Sequence, residues 1–412
     1  MRQVPIPRSG ICMAETPHGP QDRVQARQEA LRELFLLRRD VTFLNHGSFG
    51  ACPRPVFEAY QSWQLELERQ PVEFLARRFS DLLRVAREAL AAFVGAAADE
   101  LVYVPNATTG LNIVARSLEL QPDDEVLSTD HEYGALDRTW RFICQRRGAR
   151  YVNQTLPIPV ESPDQVIETL WSGVGERTRV LFLSHVTSPT SLILPVSELV
   201  RRAREAGILT VIDGAHAPGQ IQVDLTSLGA DFYVGNCHKW MCAPKGAAFL
   251  YARRETQSLV EPLVVSWGWQ SETPGPSRFI DEQEWQGTRD IAAYLAVPSA
   301  IAFQAEHDWP SVREDCHALA RWARQAIANL TGLDPISPDS LQWYAQMVSV
   351  PLPSCDVKAL QRRLYDEFAI EVPILLWNGK PMVRVSVQGY NTSDDVEALV
   401  SALSRLLPAL LD

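Results

Sequence analysis

Two residues at the ends of successive apolar runs carry complementary chemistry. Asp213 leaves the run 208–212 into Gly214-Ala215-His216-Ala217-Pro218-Gly219, and one run later Lys239 stands in Asn236-Cys237-His238-Lys239-Trp240. An amine can hold an aldehyde as a Schiff base, and a carboxylate can keep a pyridine nitrogen protonated so that the ring accepts electrons. These are the two groups that a pyridoxal phosphate site requires. The choice of amine is narrow, because the chain has four lysines (Lys239, Lys245, Lys358, Lys380) among 39 basic residues. Singly, Asp213 reads as a turn residue and Lys239 as a surface amine; their succession at strand ends is what points to chemistry. A third piece precedes them, at Pro105-Asn106-Ala107-Thr108-Thr109-Gly110. Free backbone N–H groups at a helix start, with the hydroxyls of Thr108 and Thr109 beside them, make a site for a phosphate. Alone, that piece would be an ordinary helix cap.

The elements that must position these residues are legible from periodicity. Short apolar runs at 101–104, 125–128, 150–153, 180–184, 208–212, 231–234 and 247–251 read as strands. Between them, 108–118, 136–145, 163–171 and 196–205 carry helical spacing with arginine on the outward positions. Such alternation predicts an α/β fold with a mainly parallel seven-stranded sheet covered on both faces, and places a ligand at the C-terminal ends of the strands. Upstream, 53–70 and 79–94 read as helices, the first opening with prolines. The stretch 267–289, rich in Trp, Gly and Pro without a period, reads as one long functional loop. Beyond it, helices at 291–307, 312–330, 357–368 and 393–407 with strands at 347–350 and 383–387 predict a smaller C-terminal α+β domain. The expected organisation is a flexible tail over 1–20, N-terminal helices and a large cofactor-binding domain over 21–290, and a small domain over 291–412.

Composition excludes several classes. With 412 residues, 46% apolar and 22% charged, the chain can bury a large core without disulfides or metals. Its formal charge of −11 repels phosphate backbones and anionic membranes, so neither nucleic acid nor membrane is an expected partner. No run reaches the length of a membrane span, and Met1–Pro20 lacks a signal peptide's apolar region. Seven cysteines without a Cys-x-x-Cys pair or Cys/His finger spacing read as reduced thiols in a cytoplasmic protein with no metal site.

The combination of His238-Lys239 after a strand, Asp213 and His216 upstream, and the segments Phe43-Leu44-Asn45-His46-Gly47-Ser48-Phe49-Gly50 and Arg384-Val385-Ser386-Val387-Gln388-Gly389-Tyr390-Asn391-Thr392 resembles the class V aminotransferases of pyridoxal-phosphate fold type I. Within that family the chain is most similar to the isopenicillin N epimerase group and its C–S lyase relatives. The resemblance implies that Lys239 is the Schiff-base lysine, that Asp213 pairs with the pyridine nitrogen, and that His216 lies near the ring's 3-oxygen. It gives the phosphate to Thr108, Thr109, Asn236 and His238, and sets Tyr133 over the ring face. Gly287-Thr288-Arg289 resembles the segment that reaches the neighbouring subunit's phosphate, which implies a homodimer with sites at the interface. Arg384 is implied to bind the substrate α-carboxylate as a planar bidentate donor, with Asn45 assisting. Lys245 is implied to be structural.

Departures narrow the chemistry. Cysteine desulfurases carry a cysteine on a loop shortly before the carboxylate-binding arginine, and residues 371–382 contain none. The asparagine that contacts the ring oxygen in desulfurases is replaced near Ser188. What the resemblance implies is a small-molecule amino-acid substrate attacked at Cα through a quinonoid. Three outcomes diverge from there: epimerisation, C–S lysis of an S-substituted cysteine such as hercynylcysteine sulfoxide, and transamination. Epimerisation needs a second acid, for which Tyr133 is the candidate, although a plain stacking ring is its other reading. Trp267, Trp269 and Trp285 suit either an apolar substrate group or a dimer seam. A silent scaffold would have no need to keep Lys239, Asp213 and Arg384 together.

Overall fold

The computed structural model describes residues 20–410, so the expected tail lies, apart from its last residue, outside the described residues. Seven strands, β1 (Leu101–Val104), β2 (Glu125–Thr129), β3 (Arg150–Gln154), β4 (Thr178–Ser184), β5 (Leu209–Gly214), β6 (Phe232–Asn236) and β7 (Ala248–Ala252), form one sheet in the order β1-β7-β6-β5-β4-β2-β3. Only β7 runs antiparallel to its neighbours. Every residue of β1, β6 and β7 is buried, as a sheet covered on both faces demands. One face packs Val102, Phe182, Val211 and Val234 under Leu111 and Trp140 of the helices Ala107–Ser117 and Gly134–Arg147. The other packs Tyr103, Leu181, Ile212 and Phe249 under Leu83, Leu90 and Leu199 of the helices Phe79–Val94 and Val196–Glu205. Pairing of Ser184 with Asp213 and of Gly214 with Gly235 brings three parallel strands to one edge in register.

A second, antiparallel sheet joins β8 (Met347–Pro351), β9 (Ile374–Trp377) and β10 (Lys380–Ser386) in the order β9-β10-β8. The sequence reading missed β9. Its signal was Asn378-Gly379, which adopts φ of 47° and 75°, the two left-handed positions that a tight hairpin turn requires. The N-terminal helix Pro20–Leu34 leads into Thr42–Phe43, which pairs in parallel with Ile370–Glu371, and Ser386 donates its N–H to Leu44 O at 2.9 Å.

Two expectations need correction. The stretch 267–289 is not one irregular loop: Arg278–Glu284 is a helix, capped by Ser277 Oγ and braced by Arg278 on Glu282 one turn later. The helix expected over 291–307 is two, Ala292–Leu295 and Val297–Glu306, with Pro298 in the first turn of the second.

Candidate active site

Lys239 leaves the end of β6 on a turn, and its side chain is half-buried. Its Nζ lies 3.1 Å from His216 Nε2, on the turn that follows β5. Burial and the nearby Arg384 guanidinium push the Lys239 amine well below the usual lysine range, and Asp213 opposes them. Asp213 is the penultimate residue of β5; its Oδ1 accepts the Ala215 N–H at 2.9 Å, and burial holds the carboxyl above its ordinary range against that bond and the charge of Lys239. His216 is buried without a carboxylate partner, so desolvation and the positive charges of Lys239 and Arg384 keep its ring neutral. The structure therefore brings Lys239, Asp213 and His216 to one strand edge.

Arg384 comes to the same place from β10 and is 5% exposed. Its Nη1 donates to Ser188 O at 2.8 Å and Ser188 Oγ at 3.1 Å, and its Nη2 donates to Ser48 Oγ at 2.8 Å. The Nε–H, although buried, has no partner among the described residues, which leaves a donor edge suited to a carboxylate. Burial lowers this guanidinium to about 10. Ser188 thus serves the guanidinium. Asn45 reaches Arg384 only at one remove: its Oδ1 accepts Ser48 Oγ at 2.5 Å and its Nδ2 donates to Glu371 Oε1 at 2.9 Å, so both ends of the amide are committed. The hairpin that carries Arg384 is tied to the large sheet by Trp377 Nε1 and Asn378 Nδ2, which donate to Asp130 at 3.0 and 2.8 Å.

The phosphate candidates meet at the start of the helix Ala107–Ser117. Asn106 caps it by accepting Thr109 N–H at 2.8 Å, and Asn236 Oδ1 accepts Ala107 N–H at 2.9 Å across from β6. No hydrogen bond engages the N–H or the hydroxyl of Thr108 among the described residues. The Nδ1 of His238 donates to Ala247 O at 3.1 Å, and burial lowers its ring to about 4. Tyr133 stands before the helix Gly134–Arg147, 47% exposed and close enough to act electrostatically on Arg384. Thr288 sits on an exposed bend after the helix Arg278–Glu284.

Four residues escaped the sequence reading. His46, fully buried, accepts Tyr390 OH or donates to it at 2.9 Å through Nδ1 and bonds Lys239 O at 3.0 Å through Nε2. Ser48 is the direct partner of Arg384 described above. Trp240, next to the lysine, donates its indole N–H to His216 Nδ1 at 3.3 Å. Glu132 is buried between Ser184 Oγ at 2.5 Å and Thr129 Oγ1 at 2.7 Å, and desolvation lifts its carboxyl to about 8. Gly50, at φ +71°, holds the same neighbourhood: a Cβ there would fall 1.9 Å from His238 O. His131 and His185 are structural, bonded to Thr190 and Leu156 O and to Tyr233 OH respectively. Lys245 donates to Gly50 O at 2.9 Å.

An amine poised for loss of its proton, a carboxylate at the neighbouring strand end, an unpaired guanidinium edge and an open helix start fit pyridoxal phosphate together with an amino-acid carboxylate. The class is therefore that of pyridoxal-phosphate enzymes of fold type I. The family model "Aminotransferase class-V" matches residues 51–399, and the chain belongs to that family. It is 39% identical over 388 residues to isopenicillin N epimerase of Amycolatopsis lactamdurans, covering 91% of this chain and 97% of that one. It is 37% identical to isopenicillin N epimerase of Streptomyces clavuligerus, with coverage of 92% and 98%. A probable chloroplastic L-cysteine desulfhydrase of Arabidopsis thaliana is 32% identical, with coverage of 89% and 83%. Among solved structures, the cysteine desulfurase CsdA from Escherichia coli matches with TM-score 0.77 at 23% identity, over 93% of this chain and 99% of that one, which shows the shared fold. The protein is a pyridoxal-phosphate-dependent enzyme. Among the described residues no helix is long and apolar enough to cross a membrane, and no cluster of His, Cys, Asp or Glu could hold a metal ion.

Proposed function

We propose that the enzyme removes the Cα proton of an amino acid or amino-acid derivative and returns one on the opposite face, an epimerisation like that of the isopenicillin N epimerases. Identity of 37–39% over nearly the whole length of two such enzymes supports this reading. The observation that carries it is the Lys239 amine, kept from its usual protonation by burial and Arg384 and hydrogen-bonded to a neutral imidazole. When bound, the cofactor supplies the electron sink that makes a Cα proton removable. Lys239 takes that proton as a neutral base. Arg384 orients the substrate through its carboxylate, held by Ser48 and Ser188, with Asn45 acting through Ser48. Asp213 would hold the pyridine nitrogen, His216 the 3-oxygen, and Thr108, Thr109, Asn236 and His238 the phosphate. Tyr133, exposed and near Arg384, would cover the ring and is the candidate acid for the second face.

C–S lysis is the second reading, favoured by the cysteine desulfhydrase relatives at 30–33% identity, and transamination is the third, from the family itself. Persulfide transfer of the desulfurase kind is disfavoured, because residues 374–386 form a tight hairpin without a cysteine.

The enzyme is also read as a cytoplasmic homodimer with a large unit over 21–290 and a small one over 291–412. The six described cysteines without disulfides support the reducing compartment. Exposed Leu263, Val264, Val265, Trp267 and Trp269, close in sequence to the outward-facing Thr288, support a partner subunit there.

Incubating the holoenzyme with a panel of amino acids in deuterated water decides between the outcomes. Cα deuteration with inversion supports epimerisation, pyruvate from S-substituted cysteines supports lysis, and neither product from any substrate would overturn both.

A further inference from the structure

We infer that Trp240 is a positioning residue whose indole N–H holds the proton of His216 on Nε2, so that the imidazole presents a permanent N–H donor to Lys239 and to whatever acceptor takes the lysine's place.

The argument starts from what each nitrogen can do. An indole N–H donates and never accepts. Trp240 is fully buried, so its N–H needs an acceptor, and the one it has is His216 Nδ1 at 3.3 Å. A neutral imidazole carries one proton, so an Nδ1 engaged as acceptor leaves that proton on Nε2. The groups that face His216 are Lys239, Arg384 and His238, none of them a carboxylate, so nothing nearby favours a second proton on the ring. Nε2–H then points at Lys239 Nζ, 3.1 Å away, and that contact is a hydrogen bond only when the amine brings a lone pair. The depressed basicity of Lys239 agrees with this independently.

The backbone that carries both rings is held in place. Gln220 Nε2 donates to His216 O at 2.7 Å, and Gln304 Nε2 donates to Trp240 O at 2.9 Å. Gly219, at φ +89°, lets the chain pass so close that a Cβ would lie 2.5 Å from the Trp240 carbonyl. His46 packs on the indole at 5.1 Å between ring centroids. The tautomer is thus a property of the fold around Lys239, present before any ligand arrives.

The consequence for the cofactor rests on the proposed reading of Lys239 and His216. A donor that cannot switch tautomer would stabilise the 3-oxygen of a bound cofactor in its deprotonated form, and so would lower the pH at which the cofactor's colour changes.

Two measurements test the proposal. Histidine labelled with nitrogen-15 in the cofactor-free protein, with the His216 signal identified by its absence from His216→Gln, reports the tautomer directly. A proton on Nε2 is expected, and a proton on Nδ1 would overturn the inference with no variant of Trp240 needed. In the holoenzyme, Trp240→Phe keeps an aromatic ring and removes the N–H. The midpoint of the cofactor's visible absorbance against pH is expected to move upward by about 0.5–1 pH unit, the worth of roughly one hydrogen bond. An unmoved midpoint sinks the consequence for the cofactor. Wild-type protein that stays colourless with added pyridoxal phosphate sinks the reading of Lys239 instead, and the nitrogen spectrum still decides the tautomer alone.

Discussion

The strand-edge cluster and the aromatic segment around 263–289 solve opposite problems. In the cluster, Asp213, His216, Lys239 and Arg384 each have at least one short bond to a neighbour fixed by the sheet, the following turn or the β10 hairpin, and Asp213, His216 and Arg384 are buried. In the aromatic segment Trp267 is 84% exposed, and a cleft of about 540 Å³ opens beside it, lined by Phe79, Ile280 and Trp285. Burial in the first region shifts proton affinities, whereas exposure in the second leaves apolar area uncovered. Shifted proton affinities therefore mark the first region as the place for chemistry, and uncovered apolar area marks the second as the place where the proposed partner subunit would sit.

The sharpest break of this contrast is Lys239→Ala, expected to lower turnover roughly 10⁴-fold or more and to abolish the visible band of added pyridoxal phosphate. Lys245→Met is its control: that lysine bonds only Gly50 O, so colour is retained and the thermal midpoint falls by about 2–4 °C for the loss of one hydrogen bond. Retained turnover in the first variant would end the assignment. Next, Arg384→Lys keeps a charge but loses the planar fork, and steady-state kinetics should show KM for amino-acid substrates raised roughly 10- to 100-fold. Unchanged KM would remove Arg384 from the carboxylate.

On the other region, Trp267→Ala should weaken self-association by about tenfold or more in sedimentation runs while leaving the absorbance of the cofactor in place. A variant that sediments as the wild type does would break the reading of that patch as an interface. The smallest effect concerns Glu132, which the cluster buries without a cation. Its folded-state proton affinity is raised, so the folded protein holds a proton that the unfolded chain releases, and stability falls as pH rises from the ordinary glutamate range to about 8. Glu132→Gln removes that slope, and at pH 9 the variant should be more stable than wild type by on the order of 2 kcal/mol in urea titrations.

The sequence disclosed the large sheet because its strands are continuous apolar runs and its helices keep a 3.6-residue period. Asp213 and Lys239 were legible because they stand at or just past the C-terminal ends of neighbouring strands, where a parallel sheet must put them together. Ser48 and His46 were not, since their partners Arg384 and Lys239 lie 336 and 193 residues away and no periodicity reports such distances. Trp240 is core, and only its 3.3 Å contact with His216 gives it a second role. The Asn378-Gly379 turn and the Ser277 cap were written in the sequence in ordinary turn and cap chemistry, and reading the C-terminal part and the Trp-rich stretch by hydrophobic period alone passed over both.

Residues 44–50 act as a ruler. Leu44 is pinned to the strand of Arg384, His46 to the carbonyl of Lys239, Ser48 to the guanidinium itself, and Gly50 lies against the lysine's turn. One short length of backbone thus sets the spacing between the Lys239 amine and the Arg384 guanidinium, the proposed base and the proposed carboxylate grip. Lengthening or shortening it by a residue would move both groups together, from a place far in sequence from either.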